Sequence, residues 1–202
     1  MSALALAPAR VPVTSAPPRR SAEEDRLLAL ASSGGDGQAF ALLVEAYERP
    51  LYHFTFRMLR DREEAADATQ EAFVKAYRGL RTFRPEFRFS TWLFAIAHHT
   101  CCDRLNRSRR MPLADQPDHP EPPDAAPGPE DEAIRSDQRS RLLAAIADLP
   151  ERYREAITLF YLRDRSYEEV AEILGLPLGT VKTHLHRAKV RLRRLLESGE
   201  PA

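Results

Sequence analysis

Apolar residues recur three and four positions apart through most of the chain, and nowhere do they alternate over a strand-length run. Asp36 sits at the cap position of a helix carrying Phe40, Leu43, Val44 and Tyr47, and the same spacing resumes at Leu51, Phe54, Met58 and Leu59. Pro50, between the two sets, predicts a kink or a restart, because a proline inside a helix removes a backbone donor and crowds the preceding turn. In "DREEAADATQEAFVKAYRGL" Ala65, Ala72, Phe73 and Ala76 fall on one side of a further helix. The pattern breaks at "RTFRPEFRFS" and returns in "STWLFAIAHHTCCDRLNRSRR", with Ser90 or Thr91 as the expected cap. A second group follows: Leu142, Leu143, Ile146 and Leu149, then, after Pro150, Tyr153, Ile157, Phe160 and Tyr161. Ser166 and Glu169 form an S-x-x-E capping box that opens a short helix with Val170, Ala171, Ile173 and Leu174 inward. Gly175 ends it, "GLP" turns, and the next helix buries Val181, Leu185, Ala188 and Leu192 at spacings of four, three and four.

The pattern predicts an all-α protein of two small helical domains. Between them, residues 112–132 hold seven acids, seven prolines and no Lys or Arg. Such a segment has too much proline and too many like charges to pack, so it is predicted as a linker over 111–135. The boundaries expected on this basis are a disordered tail over 1–22, domains over 23–110 and 136–197, and a short tail over 198–202. The 25 residues of the linker reach roughly 75 Å if extended at about 3.1 Å per residue, and about 28 Å as a flexible coil.

Lys and Arg together number 30 and Asp and Glu 30, a net charge of zero that would argue against a polyanionic partner. The acidic linker reverses that inference, since it leaves the folded parts correspondingly basic, with blocks at Arg104 to Arg110 and Lys182 to Arg194. At about 100° per residue, Lys182, Thr183, His186, Arg187 and Val190 lie opposite the apolar stripe of the last helix. A helix–turn–helix lays such a second helix in the DNA major groove, where Arg and Lys reach guanine acceptors. Arg191, Arg193 and Arg194 extend the face toward phosphates.

Two stretches resemble the extracytoplasmic-function group of bacterial sigma factors, in the sigma-70 family. "LPERYREAITLFYLRDRSYEEVAEILGLPLGTVKTHLHRAKVRLRRLL" is similar to their region 4. "AFALLVEAYERPLYHFTFRMLRDREEAADATQEAFVKAYRGLRTF" followed by "FSTWLFAIAHHTCCDRLNRSRR" is similar to their region 2. The resemblance covers about residues 36–110 and 135–197, with the acidic linker where region 3 would stand. It implies a transcription initiation factor that binds core RNA polymerase and promoter DNA, together with an anti-sigma partner. It further implies that Asp67, Gln70, Glu71 and Lys75 of "DATQEAF" and the residues after it dock on the polymerase. Asp67, Gln70 and Glu71 share one helix side at i, i+3 and i+4, an acidic and polar patch suited to a basic partner.

By the same resemblance, "FRPEFRF" captures a flipped base of the minus-ten element. Its Phe83, Phe87 and Phe89, interleaved with Arg84 and Arg88, are also what single-stranded DNA binding requires, namely stacking surfaces and phosphate contacts. On the following helix His99 stands where the family usually has Asn, Asp103 where Asn or Asp is common, and Arg104 and Arg107 complete the minus-ten set. The minus-thirty-five set is Thr180, Lys182, Thr183, His186, Arg187, Arg191 and Arg194.

The alternative is a stand-alone helix–turn–helix regulator, which would ordinarily dimerise on a palindrome; one reading helix, no heptad seam and a whole second domain count against it. His98, Cys101 and Cys102 lie at i, i+3 and i+4 on one helix face, an incomplete ligand set that would have to borrow His or carboxylates from elsewhere in the chain. No metal, cofactor or catalytic residue is assigned, because neither a phosphate loop nor a nucleophile motif is present. The two cysteines are adjacent, too close for an ordinary disulfide, and no apolar run approaches the ~20 residues of a bilayer span. A cytoplasmic protein without membrane insertion is expected.

Overall fold

The computed structural model describes residues 21–110, 140–162 and 165–198. The expected linker and both tails, apart from Ser21, Ala22 and Ser198, lie outside them. Among the described residues there is no strand. The first domain comprises α1 (Ala22–Ser33), α2 (Gly37–Leu59), α3 (Arg62–Gly79) and α4 (Phe89–Arg110), with a 3-10 turn at Leu80–Thr82. The second comprises α5 (residues 140–147), α6 (Glu151–Ile157), which widens into a π turn at Thr158–Leu162, then α7 (Tyr167–Leu174) and α8 (Leu178–Ser198).

Local chemistry explains where most of these helices begin and end. Ser21 with Glu24 and Ser166 with Glu169 form reciprocal capping boxes on α1 and α7, and Asp36 and Asp61 accept from the first free N–H groups of α2 and α3. Pro50 does not interrupt α2. Leu43 on one side of it and Leu51 and Phe54 on the other are fully buried, so packing of the whole helix outweighs the roughly 3 kcal/mol a mid-helix proline costs. The start of α4 also departs from expectation. It begins at Phe89, and the Arg88 carbonyl accepts from the Thr91 and Trp92 N–H groups, so neither Ser90 nor Thr91 is the cap.

Gly175 closes α7 in the left-handed conformation at φ 63°, and its N–H bonds back to the Ala171 and Glu172 carbonyls. A Cβ there would meet nothing within 4 Å. Gly175→Ala is therefore expected to cost about 1–2 kcal/mol through backbone strain alone, read as a lower denaturation midpoint with an unchanged slope.

Both domains bury the stripes foreseen from spacing: Ala65, Ala72, Phe73 and Ala76 on α3, and Val181, Leu185, Ala188 and Leu192 on α8. The two domains also pack on each other, α4 against α7 and α2 against α6. Among the side chains that join them at α7 are Ser90 and Thr91, the residues expected as caps. Arg165 donates to Ser90 Oγ at 2.7 Å and Thr91 donates to Glu169 Oε1 at 3.1 Å. Glu169 Oε2 meanwhile accepts from the Ser166 N–H, so one carboxylate caps α7 and holds the neighbouring domain.

Candidate nucleic-acid interface

The exposed face of α8 is a row of polar and cationic side chains on a buried apolar base. Lys182, Thr183, His186, Arg187, Arg191 and Arg194 all point to solvent, and Thr180, in the first turn, is half-buried. Thr183 Oγ1 donates to the Gly179 carbonyl at 2.9 Å. The Arg187 guanidinium lies beside the Tyr153 hydroxyl and, with Arg152, holds the phenol below its usual pKa. Val190 is 42% exposed on the same face, an apolar interruption with no polar edge to offer a base.

The loop between the 3-10 turn and α4 divides its three phenylalanines in a way their spacing did not foretell. Phe87 is 44% exposed, whereas Phe83 and Phe89 are core residues at 7% and 1%. Their rings meet edge-on at 5.7 Å between centroids, and both pack against Trp92, which is half-buried. Phe83 and Phe89 therefore support the loop from below, and of the three rings Phe87 alone presents an exposed face. Arg84 and Arg88 are exposed, and Arg88 reaches Glu169 of the second domain at 3.5 Å. A surface pocket of about 240 Å³ lies between Thr82, Phe83, Arg84, Phe87 and Trp92, walled on one side by Glu172 of α7.

Further along α4, His99, Asp103 and Arg107 are exposed, and Arg107 Nε donates to the Asp103 carbonyl at 3.3 Å. Arg104 is placed differently from the expected DNA contact. Its side chain is only 18% exposed and bridges Glu64 at 2.7 Å and Glu71 at 2.9 Å on α3. Glu71 in turn pairs with Lys75 at 2.8 Å, and these hydrogen bonds hold its carboxyl below the usual range although burial pushes the other way. Of the four expected docking residues, Asp67 and Gln70 face solvent, whereas Glu71 is half-buried inside an ion-pair network and Lys75, exposed, completes it through Glu71 and Thr100. An i, i+3, i+4 reading of α3 could not foresee that network, because Arg104 comes from another helix.

Comparison with known proteins decides what these faces belong to. Residues 43–111 match the family model for Sigma-70 region 2, and residues 139–192 match that for Sigma-70, region 4. The ECF RNA polymerase sigma factor SigW of Bacillus subtilis (strain 168) is 34% identical over 177 residues, spanning 80% of this chain and 91% of the relative. The chain belongs to the sigma-70 family, in its extracytoplasmic-function group. The RNA polymerase sigma-H factor of Pseudomonas aeruginosa is 35% identical over 87% of this chain and 95% of its own length. Among solved structures, the sigma factor RpoE in complex with the anti-sigma factor NepR from Bartonella quintana aligns with a TM-score of 0.65 and 25% identity, covering 78% of this chain and 96% of that one. This sigma factor is therefore a transcription initiation factor that works with RNA polymerase on promoter DNA, and the stand-alone regulator is set aside. Among the described residues no helix is long and apolar enough to cross a membrane.

Proposed function

We propose that the sigma factor docks core RNA polymerase through Asp67 and Gln70 on α3, with Glu71 and Lys75 holding that face rigid. It reads the minus-thirty-five element with the exposed side of α8 and the melted minus-ten element with Phe87, Arg84, Arg88, His99, Asp103 and Arg107. The observation that carries this reading is the α8 face: six polar or cationic side chains in one solvent-facing row, on a helix fixed by a buried apolar stripe and a glycine turn. It acts in the cytoplasm and has no catalytic activity of its own; bond formation belongs to the polymerase. An anti-sigma factor, like the one bound to the related RpoE, is a further partner.

Run-off transcription with purified core enzyme tests this directly. Defined start sites preceded by two common elements are expected, and transcripts no different from those of core enzyme alone would overturn it. Two substitutions separate base reading from phosphate binding. Arg187→Ala is expected to cost about 1–3 kcal/mol at one base pair of the minus-thirty-five element and to relax choice there. Arg193→Ala, farther along the helix, is expected to weaken every sequence alike and lower the salt dependence. An equal, uniform loss from both would mean that Arg187 contacts phosphate and that the reading face is rotated from the position assigned.

A further inference from the structure

The ligand set left incomplete on α4 gains a third member from the other domain. His98 Nε2 lies 3.5 Å from Cys102 Sγ, one helical turn on, and 3.7 Å from Glu155 Oε2 on α6. The three ligand atoms all lie within 4.8 Å of one another. The His98 and Glu155 side chains are 9% and 12% exposed, and Cys102 is half-buried, so the cluster sits in the seam between the two domains. Cys101 takes no part; it is buried in the core of the first domain.

Bond lengths can be used to judge whether such a cluster suits a metal. A tetrahedral zinc ion with ordinary bonds to imidazole, thiolate and carboxylate places nitrogen about 3.6 Å from sulfur and about 3.4 Å from oxygen. The observed 3.5 and 3.7 Å agree within a few tenths of an ångström, and the sulfur and the carboxylate, within 4.8 Å of each other where about 3.6 Å is wanted, would close on the ion by rotation of the flexible Glu155 side chain. Among the described residues His98 Nδ1 has no hydrogen-bond partner, so none of them fixes the tautomer against Nε2 acting as the ligand. One nitrogen, one sulfur and one oxygen favour a borderline-soft divalent ion such as zinc over magnesium or calcium. Among the described residues no further His, Cys or carboxylate joins the cluster, which leaves a fourth tetrahedral position for a water or a small thiol.

We propose that His98, Cys102 and Glu155 form a zinc site that bridges the two domains and holds them closed. Promoter elements about two helical turns apart lie ~70 Å from each other along the duplex, so two domains in contact cannot read both at once. A metal whose ligands come from both domains binds only the closed arrangement. At zinc about one hundred times its dissociation constant, the closed-to-open ratio rises about a hundredfold. The metal site itself stands on the cluster geometry; its effect on initiation rests on the promoter-reading function proposed above.

The test is titration of the full-length, reduced protein with Co2+ as a spectroscopic probe and with Zn2+ by calorimetry. One equivalent of Co2+ is expected to produce tetrahedral ligand-field bands and a thiolate-to-metal charge-transfer band. Cys102→Ser should abolish the charge-transfer band, and Glu155→Gln, a near-isosteric change at the surface of the seam, should weaken zinc binding at least tenfold. Zinc should also slow amide exchange in residues 151–157 of wild type and leave Glu155→Gln unchanged. No charge-transfer band in the wild type would overturn the site. Equal zinc affinity in wild type and Glu155→Gln would overturn the bridge, leaving His98 and Cys102 as a site within one domain. These readouts do not involve the polymerase, so failure of the zinc site and failure of the promoter-reading function are separately visible.

Discussion

Asp67→Arg is expected to weaken binding to core RNA polymerase at least tenfold while leaving thermal stability essentially unchanged. Asp67 is exposed on α3 and accepts no hydrogen bond from a neighbouring side chain among the described residues, so reversing its charge changes the surface and little else. Exposed substitutions of this kind move stability by about 0.5 kcal/mol or less, whereas a like charge set against a basic partner surface costs several kcal/mol. Glu71→Lys is the instructive contrast. Its carboxylate bridges Lys75 and Arg104, and reversal places three cations together in a half-buried site. Both core affinity and melting temperature are expected to fall, by about 1–2 kcal/mol in stability, between the worth of a surface pair and that of a buried one. Titration of labelled sigma factor with core enzyme, beside thermal melts of both variants, separates the two effects. Core affinity within twofold of wild type for Asp67→Arg would remove α3 from the docking surface.

What could be read from the chain alone was whatever its local chemistry decides. The Ser166 and Glu169 box, the left-handed turn at Gly175 and the four buried residues of α8 are each set within a few residues, and each is where spacing put it. The candidate DNA face on α8 was legible for the same reason, since the buried side of an amphipathic helix defines the exposed one. Three phenylalanines within seven residues are another matter. A loop has no period, and which of Phe83, Phe87 and Phe89 turns inward depends on Trp92, one turn on in α4, and on Tyr47 of α2, which both pack against the ring of Phe89. The pairing of Arg104 with Glu71 was hidden for a similar reason: each reads as a free surface charge until a partner more than thirty positions away in sequence is known. The relation between the domains was the least legible, because Ser90 and Thr91 carry a helix-cap signature and spend their side chains on the neighbouring domain.

That relation makes Arg165 the position where one substitution should alter the architecture most. Its side chain is 10% exposed, donates to Ser90 Oγ at 2.7 Å and to Glu169 at 3.4 Å, and lies over the Phe94 ring with the guanidinium carbon 5.1 Å from its centroid. Arg165→Ala leaves the Glu169 carboxylate, 16% exposed, with Arg88 and Thr91 as its remaining partners across the seam. Breaking a fully buried pair costs about 3–5 kcal/mol, and a site with this residual exposure about 2–3, which is roughly a 30- to 150-fold loss in the closed-to-open ratio. Energy transfer between fluorophores on the two domains is expected to drop accordingly. Acid should act through the same carboxylate. Burial raises the Glu169 pKa, but the Ser166 N–H, Arg165, Thr91 and Arg88 together hold it below the usual 4.5. A carboxyl lowered on folding contributes stability that is present above its unfolded value and lost as pH falls through the folded one, so this contact should open below about pH 4.5. His98 with Glu155 and Arg60 with Asp148 also cross the seam, and the part owed to Glu169 is isolated by Glu169→Gln, which keeps the capping box because glutamine serves at that position too. The variant is expected to be more open at neutral pH and to lose the Glu169 part of the acid transition. An unchanged acid transition in Glu169→Gln, with unchanged energy transfer in Arg165→Ala, would show that the two domains are held by apolar packing and that the charged seam is incidental.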